Sequence, residues 1–198
     1  MDTCASGGRR DDLETLRRAV PLWRSDFAYQ PTPMQMQTFG LLFWIPYFGT
    51  AINSADPYVF RSQMTPAVGL GLDPGKIEAD QVALRRLLGQ WRELARYYFG
   101  DFFPLTEYKA GNSAWIAWQL NDASSGGGAI QAFRREDSPF TLARFKLRGL
   151  DAAARYAVRN PDSPEVLNFT GKQLSEEGLP VSITNAPGAV TVLYAKSK

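Results

Sequence analysis

The sequence predicts α/β architecture followed by all-β architecture: the later, C-terminal βα units of a parallel (β/α)8 TIM barrel over residues 1–100, then an antiparallel β-sandwich over residues 101–198. Three observations predict it. Short apolar runs alternate with helix-like segments before Gly100. One of those segments repeats its apolar residues at three and four, as a single buried helical face requires. After Asp101 the pattern changes to alternation interrupted by Gly, Ser, Asn and Pro turns.

Taken in order, residues 4–8 (Cys-Ala-Ser-Gly-Gly) read as a small-residue loop, and residues 11–18 as a helix with acidic residues at its start. Residues 19–23 read as a short buried strand, which puts Ser25 and Asp26 just beyond its C-terminal end. A second helix is expected over 32–39, and the apolar run 41–48 has the length of a fully buried strand. Residues 68–73 form a small-residue strand ending in Asp73. The helix expected over 77–98 carries Leu84, Leu87, Leu88, Trp91, Leu94, Ala95 and Tyr98 on one face, and Gly100 closes it. Alternating strands then follow at 114–119, 129–133, 143–147 and 190–194. The glycine run 126–128 is too short to be a linker between independent proteins, and no internal repeat is legible.

Composition removes several function classes. With 198 residues, 44% of them hydrophobic, the chain can bury one large core or two small ones. The 22 Lys+Arg and 20 Asp+Glu leave a net charge of +2, without the basic stripe that nucleic acid or an anionic membrane surface attracts. Neither is expected as a partner. No run approaches the ~20 apolar residues of a membrane span, and the longest candidate, 40–49, contains Pro46. A soluble chain is expected. The absence of His excludes Ser-His and Cys-His catalysis within the chain and removes the commonest zinc ligand. Carboxylates must carry any acid/base work. Cys4 is the single cysteine, so no internal disulfide forms. Residues 1–4 show neither the basic nor the apolar region of a leader peptide.

A closed barrel takes ~250 residues, whereas only residues 1–100 are barrel-like here. The expectation is therefore a partial barrel with two open strand edges, prone to instability or to oligomeric association.

Two motifs carry chemistry. Cys4-Ala5-Ser6-Gly7-Gly8, with Arg10 and Asp12 behind it, is followed about twenty residues after Cys4 by Trp23-Arg24-Ser25-Asp26. On these motifs the chain resembles the melibiase-type α-galactosidases, a glycoside hydrolase family with a (β/α)8 barrel and a C-terminal β-sandwich. The first motif is similar to that family's loop after barrel strand five, and the second to its Trp-x-Ser-Asp at the end of strand six. Residues 67–73 are similar to its last barrel strand, and Gly100-Asp101-Phe102-Phe103 to the junction with the sandwich. The family often continues Ser-Asp-x-x-Asp, then Arg before a Gln-Tyr-Gly-like helix; here those places hold Tyr29, Pro31 and Pro33.

What the resemblance implies is a retaining exo-glycosidase acting on a small-molecule α-galactoside, with Asp26 as catalytic acid/base and no metal or organic cofactor. It implies a nucleophilic Asp on an earlier barrel strand, upstream of Cys4. Asp73, also at a strand end, is better read as a helix cap. Cys4 reads either as a small buried residue or as a sugar contact. Gly7 and Gly8 serve a tight turn, a close backbone approach to the sugar, or both. Arg10 binds substrate or braces Asp12, and Trp23 lies near enough to pack on the sugar. From spacing alone, Asp26 reads as a helix cap or turn residue, and the catalytic role comes with the resemblance. Other readings of the chain are a relative acting on α-N-acetylgalactosamine, or a non-catalytic remnant with a structural or carbohydrate-binding β-domain. Phe43, Trp44, Tyr47 and Phe48 are expected mostly in the core, as are Trp115 and Trp118. Asn168-Phe169-Thr170 fits a glycosylation sequon.

Overall fold

Four stretches of backbone run side by side at the start of the chain, and hydrogen bonds set their order. The computed structural model describes the chain apart from residues 5–8, 27–29, 46, 72–80 and 198. It divides into two units, Met1–Tyr98 and Phe99–Lys198.

In the first unit Asp2 makes a parallel bridge to Val20, supported by Thr3 N–H donating to the Val20 carbonyl at 2.8 Å. Residues 20–24 then meet strand β1 (Gly49–Ile52). Gly49 donates to the Pro21 carbonyl at 3.0 Å and accepts from the Arg24 amide at 3.4 Å, the slanted pattern of parallel neighbours. A Cβ on Gly49 would lie 2.8 Å from the Leu22 carbonyl oxygen and 3.1 Å from that of Ala67, so only glycine fits between them. Strand β1 pairs in parallel with β2 (Ala67–Leu70), from Gly49 opposite Ala67 to Ile52 opposite Leu70. The order is thus 1–3, 20–24, β1, β2. A closed ring of strands is not formed among the described residues.

Helices connect these stretches. Helix α1 (Leu13–Leu16) starts at Asp12, whose Oδ1 accepts from the Thr15 amide at 2.9 Å. Helix α2 (Pro31–Leu41) and helix α3 (Pro57–Ser62) begin with proline, whose fixed φ and missing N–H suit a first turn. Asp56 caps α3 by accepting from the Val59 amide at 3.0 Å. Helix α4 (Gln81–Ala95) continues into the tighter turn Arg96–Phe99. Its 3.6-residue period packs as expected: Leu87 is fully buried with Ile52, Phe60 and Met64, and Leu84, Leu88 and Trp91 close over them. Trp91 Nε1 donates to the Thr65 carbonyl at 2.8 Å, and the Tyr98 hydroxyl to the Met64 carbonyl at 2.8 Å.

Two strand expectations are corrected. Leu41 is the last residue of helix α2, residues 42–44 form a turn, and β1 starts only at Gly49. Of the aromatic residues there, Phe48 is buried while Phe43, Trp44 and Tyr47 are exposed. Residues 19–23 make a bridge rather than a strand; Pro21 has no N–H to extend a ladder. Asp73 lies outside the described residues.

The second unit is antiparallel. Strands β3 (Asp101–Pro104), β4 (Trp115–Asp122), β5 (Gly127–Arg134), β7 (Arg155–Arg159), β8 (Val166–Thr170) and β10 (Gly188–Lys196) form a six-stranded sheet ordered β3-β4-β5-β10-β7-β8. Strands β6 (Leu142–Phe145) and β9 (Leu179–Ser182) pair separately. Phe145, Leu179 and Val181 from that pair share a core with Ala117, Ile130, Tyr156 and Val192 of the large sheet, which is the two-layer packing of a sandwich. Trp115 and Trp118 are both buried. Asn168 is exposed on β8, at one edge of the large sheet.

The hairpin between β4 and β5 is fastened by Asp122, which accepts from the Ser124 hydroxyl at 2.6 Å and the Ser125 hydroxyl at 2.7 Å. These bonds favour the ionised carboxylate and pull its pKa from 3.8 to about 2. A depressed acid contributes stability that is present above its unfolded value and is lost as pH falls toward the folded one. The Asp122 contribution is therefore expected to disappear between pH 3.8 and about 2. Acid titration of unfolding in the parent chain and in Asp122→Asn should converge at the acid end of that window and separate above it.

Candidate active site

The site is built from the run 20–26 and the helix that follows. Because residues 1–3 and 20–24 run the same way, Cys4 and Ser25-Asp26 emerge at the same end of the parallel stretches. Barrel-type enzymes place catalytic groups at that end.

The anchor is Arg24, only 2% exposed. Its Nη1 donates to Thr38 Oγ1 at 2.7 Å and its Nη2 to the Met34 carbonyl at 3.0 Å, both on α2. The guanidinium carbon lies 5.1 Å from the centroid of the Phe48 ring, a cation–π contact. Burial disfavours the charge and draws the pKa of Arg24 down to about 9, with Tyr98 and Asp11 acting in the opposite sense. Asp11 answers from the preceding loop. Burial raises its pKa against the lowering effect of Arg24, and its buried Oδ1 has no hydrogen-bond partner among the described residues.

Ser25 is buried, and its hydroxyl accepts from Gln37 Nε2 at 2.6 Å. Both residues before Asp26 are thereby fastened to α2. Asp26 itself is exposed, and Trp23 is half-buried. A carboxylate on a fixed backbone at an open strand end can deliver a proton to a bound group.

The other expected site residues fall as follows. Cys4 is exposed, so its reading as a small buried residue does not hold. Gly7 and Gly8 lie outside the described residues. Arg10 is exposed in a turn. The carboxylate of Asp12 bonds both the amide and the hydroxyl of Thr15, and the Thr15 amide is the main cause of its lowered pKa. Among the described residues no three His, Cys, Asp or Glu side chains gather as a metal site would require, and no helix is long and apolar enough to cross a membrane.

Arg24 and Asp11 were not singled out by sequence reasoning. The available signal was a cation wedged between Trp23 and Ser25 at the end of an apolar run, followed by a helix with Thr38 available to receive it.

With this geometry in hand, comparison with solved structures places the fold. The chain superposes on the galactosidase domain of the alpha-galactosidase-sucrose kinase AgaSK with a TM-score of 0.80 and 16% identity, over 95% of this chain and 27% of that one. The GH36 alpha-galactosidase AgaA of Geobacillus stearothermophilus, solved as a variant in complex with raffinose, gives 0.78 and 18%, over 97% of this chain and 28% of that one. AgaB from the same organism gives 0.76 and 20%, with the same coverage. The structural neighbours are thus GH36 alpha-galactosidases, whose fold this chain shares over nearly its whole length. It spans little more than a quarter of the length of those it matches. No family model and no curated protein matches the sequence.

Removing the anchor has a measurable cost. Arg24→Ala opens a cavity and leaves the buried Thr38 hydroxyl without its donor, a loss of about 2–4 kcal/mol. Urea unfolding followed by tryptophan fluorescence should show a lower midpoint, whereas exposed Arg10→Ala should leave the midpoint in place.

Proposed function

We propose that this chain forms part of the catalytic body of a retaining glycoside hydrolase that releases terminal α-linked galactose, with Asp26 as the acid/base. The observation that carries this reading is the position of Asp26, exposed at the end of a parallel stretch within a fold shared with GH36 alpha-galactosidases. The raffinose complex of AgaA supports a galactoside as the substrate class.

Hydrolysis with retention needs two carboxyl groups roughly 5–5.5 Å apart. The first protonates the departing glycosidic oxygen while the second attacks the anomeric carbon. The first, now ionised, then removes a proton from water as the glycosyl-enzyme bond breaks. Asp26 takes the first role. The nucleophile is assigned to sequence outside this chain, in keeping with its coverage of 27–28% of the neighbours. Trp23 is assigned to the apolar face of the sugar ring, and Cys4 and Arg10 to its hydroxyls; Gly7, outside the described residues, is assigned to the sugar by the motif alone.

The role of Asp26 is tested in the protein that carries this chain. Asp26→Asn should lower turnover of raffinose by roughly 100- to 10,000-fold, the range of general acid–base catalysis. An aryl α-galactoside with a weakly basic leaving group needs no proton to depart, so its glycosylation step should survive largely intact. Equal losses of kcat/KM, which reports the glycosylation step, on both substrates would remove Asp26 from the acid role.

A further inference from the structure

We infer that the second unit contains a binding pocket for a single pyranose ring, formed where the β3–β4 and β5–β6 loops meet strand β6. The cavity there measures about 500 Å³, within the size range of small-ligand sites. Trp115, Phe140, Ser138, Glu107 and Lys109 are among the residues that line it.

Both loops are held from beneath. Arg135, fully buried at the end of β5, donates to the carbonyls of Lys109 and Gly111 in the first loop. Arg134 donates to the Ser138 carbonyl in the second loop at 2.8 Å, and to the Thr184 carbonyl at 2.6 Å. Trp115 Nε1 donates to the Phe140 carbonyl at 2.9 Å, and the Asp137 amide to the Asn112 carbonyl at 3.1 Å. Burying guanidinium groups is costly unless they are hydrogen-bonded. Here their bonds go to loop carbonyls, fixing the walls before any ligand arrives.

Two features are left unsatisfied in these fixed walls. The Phe140 side chain stays 69% exposed although its backbone is anchored. Ser138, 3% exposed, has a buried hydroxyl with no hydrogen-bond partner among the described residues. Beside them Glu107 and Lys109 face each other at 3.4 Å, offering an acceptor and a donor.

A pyranose matches this combination. Its C–H face covers an aromatic ring, and its hydroxyls both donate and accept, so Glu107, Lys109 and Ser138 can all be satisfied together. An anion would meet Glu107, a cation would meet Lys109, and a hydrocarbon would leave the Ser138 hydroxyl unpaired. The pocket does not depend on the role of Asp26. Galactose is the probe because the proposed function makes it available.

The test is nitrogen-15 NMR of the full chain titrated with galactose. The expected result is a saturable shift of the Trp115 indole and Ser138 amide signals. Phe140→Ala and Glu107→Gln should each raise the midpoint by about tenfold, a 1.4 kcal/mol change; thermal melting checks that both variants fold. Mannitol, with hydroxyls but no ring, should produce no saturable shift. Signals unmoved by galactose, an equal response to mannitol, or midpoints unchanged in both variants would overturn the pocket. Turnover is not the readout, so failure here leaves the Asp26 proposal standing, and the reverse.

Discussion

The buried guanidinium of Arg24 is the interaction on which the first unit's site depends. Pro21 denies residues 20–24 a regular strand ladder, and among the described residues their backbone pairs with Met1 and Thr3 on one side and with Gly49 on the other. The side chain of Arg24 supplies what the backbone lacks, joining the segment to Met34 and Thr38 of α2 and to the ring of Phe48. Its depressed pKa shows how strongly burial opposes that charge. The hydrogen bonds are what offset the opposition. With Ser25 held by Gln37 as well, the backbone reaching Asp26 has little freedom while the Asp26 side chain stays open to solvent.

The second unit solves a comparable problem with hydroxyl and guanidinium groups in a β-framework. The Tyr194 hydroxyl accepts from Gln119 Nε2 at 2.7 Å and donates to Asn121 Oδ1 at 2.8 Å, linking β10 to β4 across β5. Gly128 makes room for it, since a Cβ there would stand 2.2 Å from the Tyr194 oxygen. A side chain at that point would push β5 and β10 apart. At the other end of β5, Arg134 and Arg135 extend the order of the sheet into the surrounding loops. Rigid strands thereby position irregular backbone, the usual condition for a binding loop.

Much of this was legible in the sequence, for identifiable reasons. The spacing of Leu84, Leu87, Leu88 and Trp91 announces α4 because helix period and buried face coincide. Alternation finds the segments of β4, β5, β6 and β10, although β4 and β5 are buried on both faces. The run 41–48 misleads because a short apolar stretch has no periodicity to separate a helix end from a strand. Gly49, which fits where no side chain would, marks the true strand start. Helix α3 carried a readable signal in Asp56-Pro57, a capping residue followed by proline at the first helical position. Short strands β7, β8 and β9 lacked a strong one. Within the candidate site, Asp26 stood out through its motif. Arg24 escaped because an arginine is ordinarily read as solvent-facing.

The role proposed for Asp26 is to donate a proton to the departing glycosidic oxygen and then to accept one from water. Replacing it by alanine in the protein that carries this chain, and supplying azide with an aryl α-galactoside, tests that role directly. If Asp26 is the acid/base, azide enters the space left by its side chain, attacks the glycosyl-enzyme without needing a general base, and restores turnover. The product is then galactosyl azide of retained α configuration. An azide of inverted β configuration, or an Asp26→Ala protein as active as its parent before azide is added, would contradict the account.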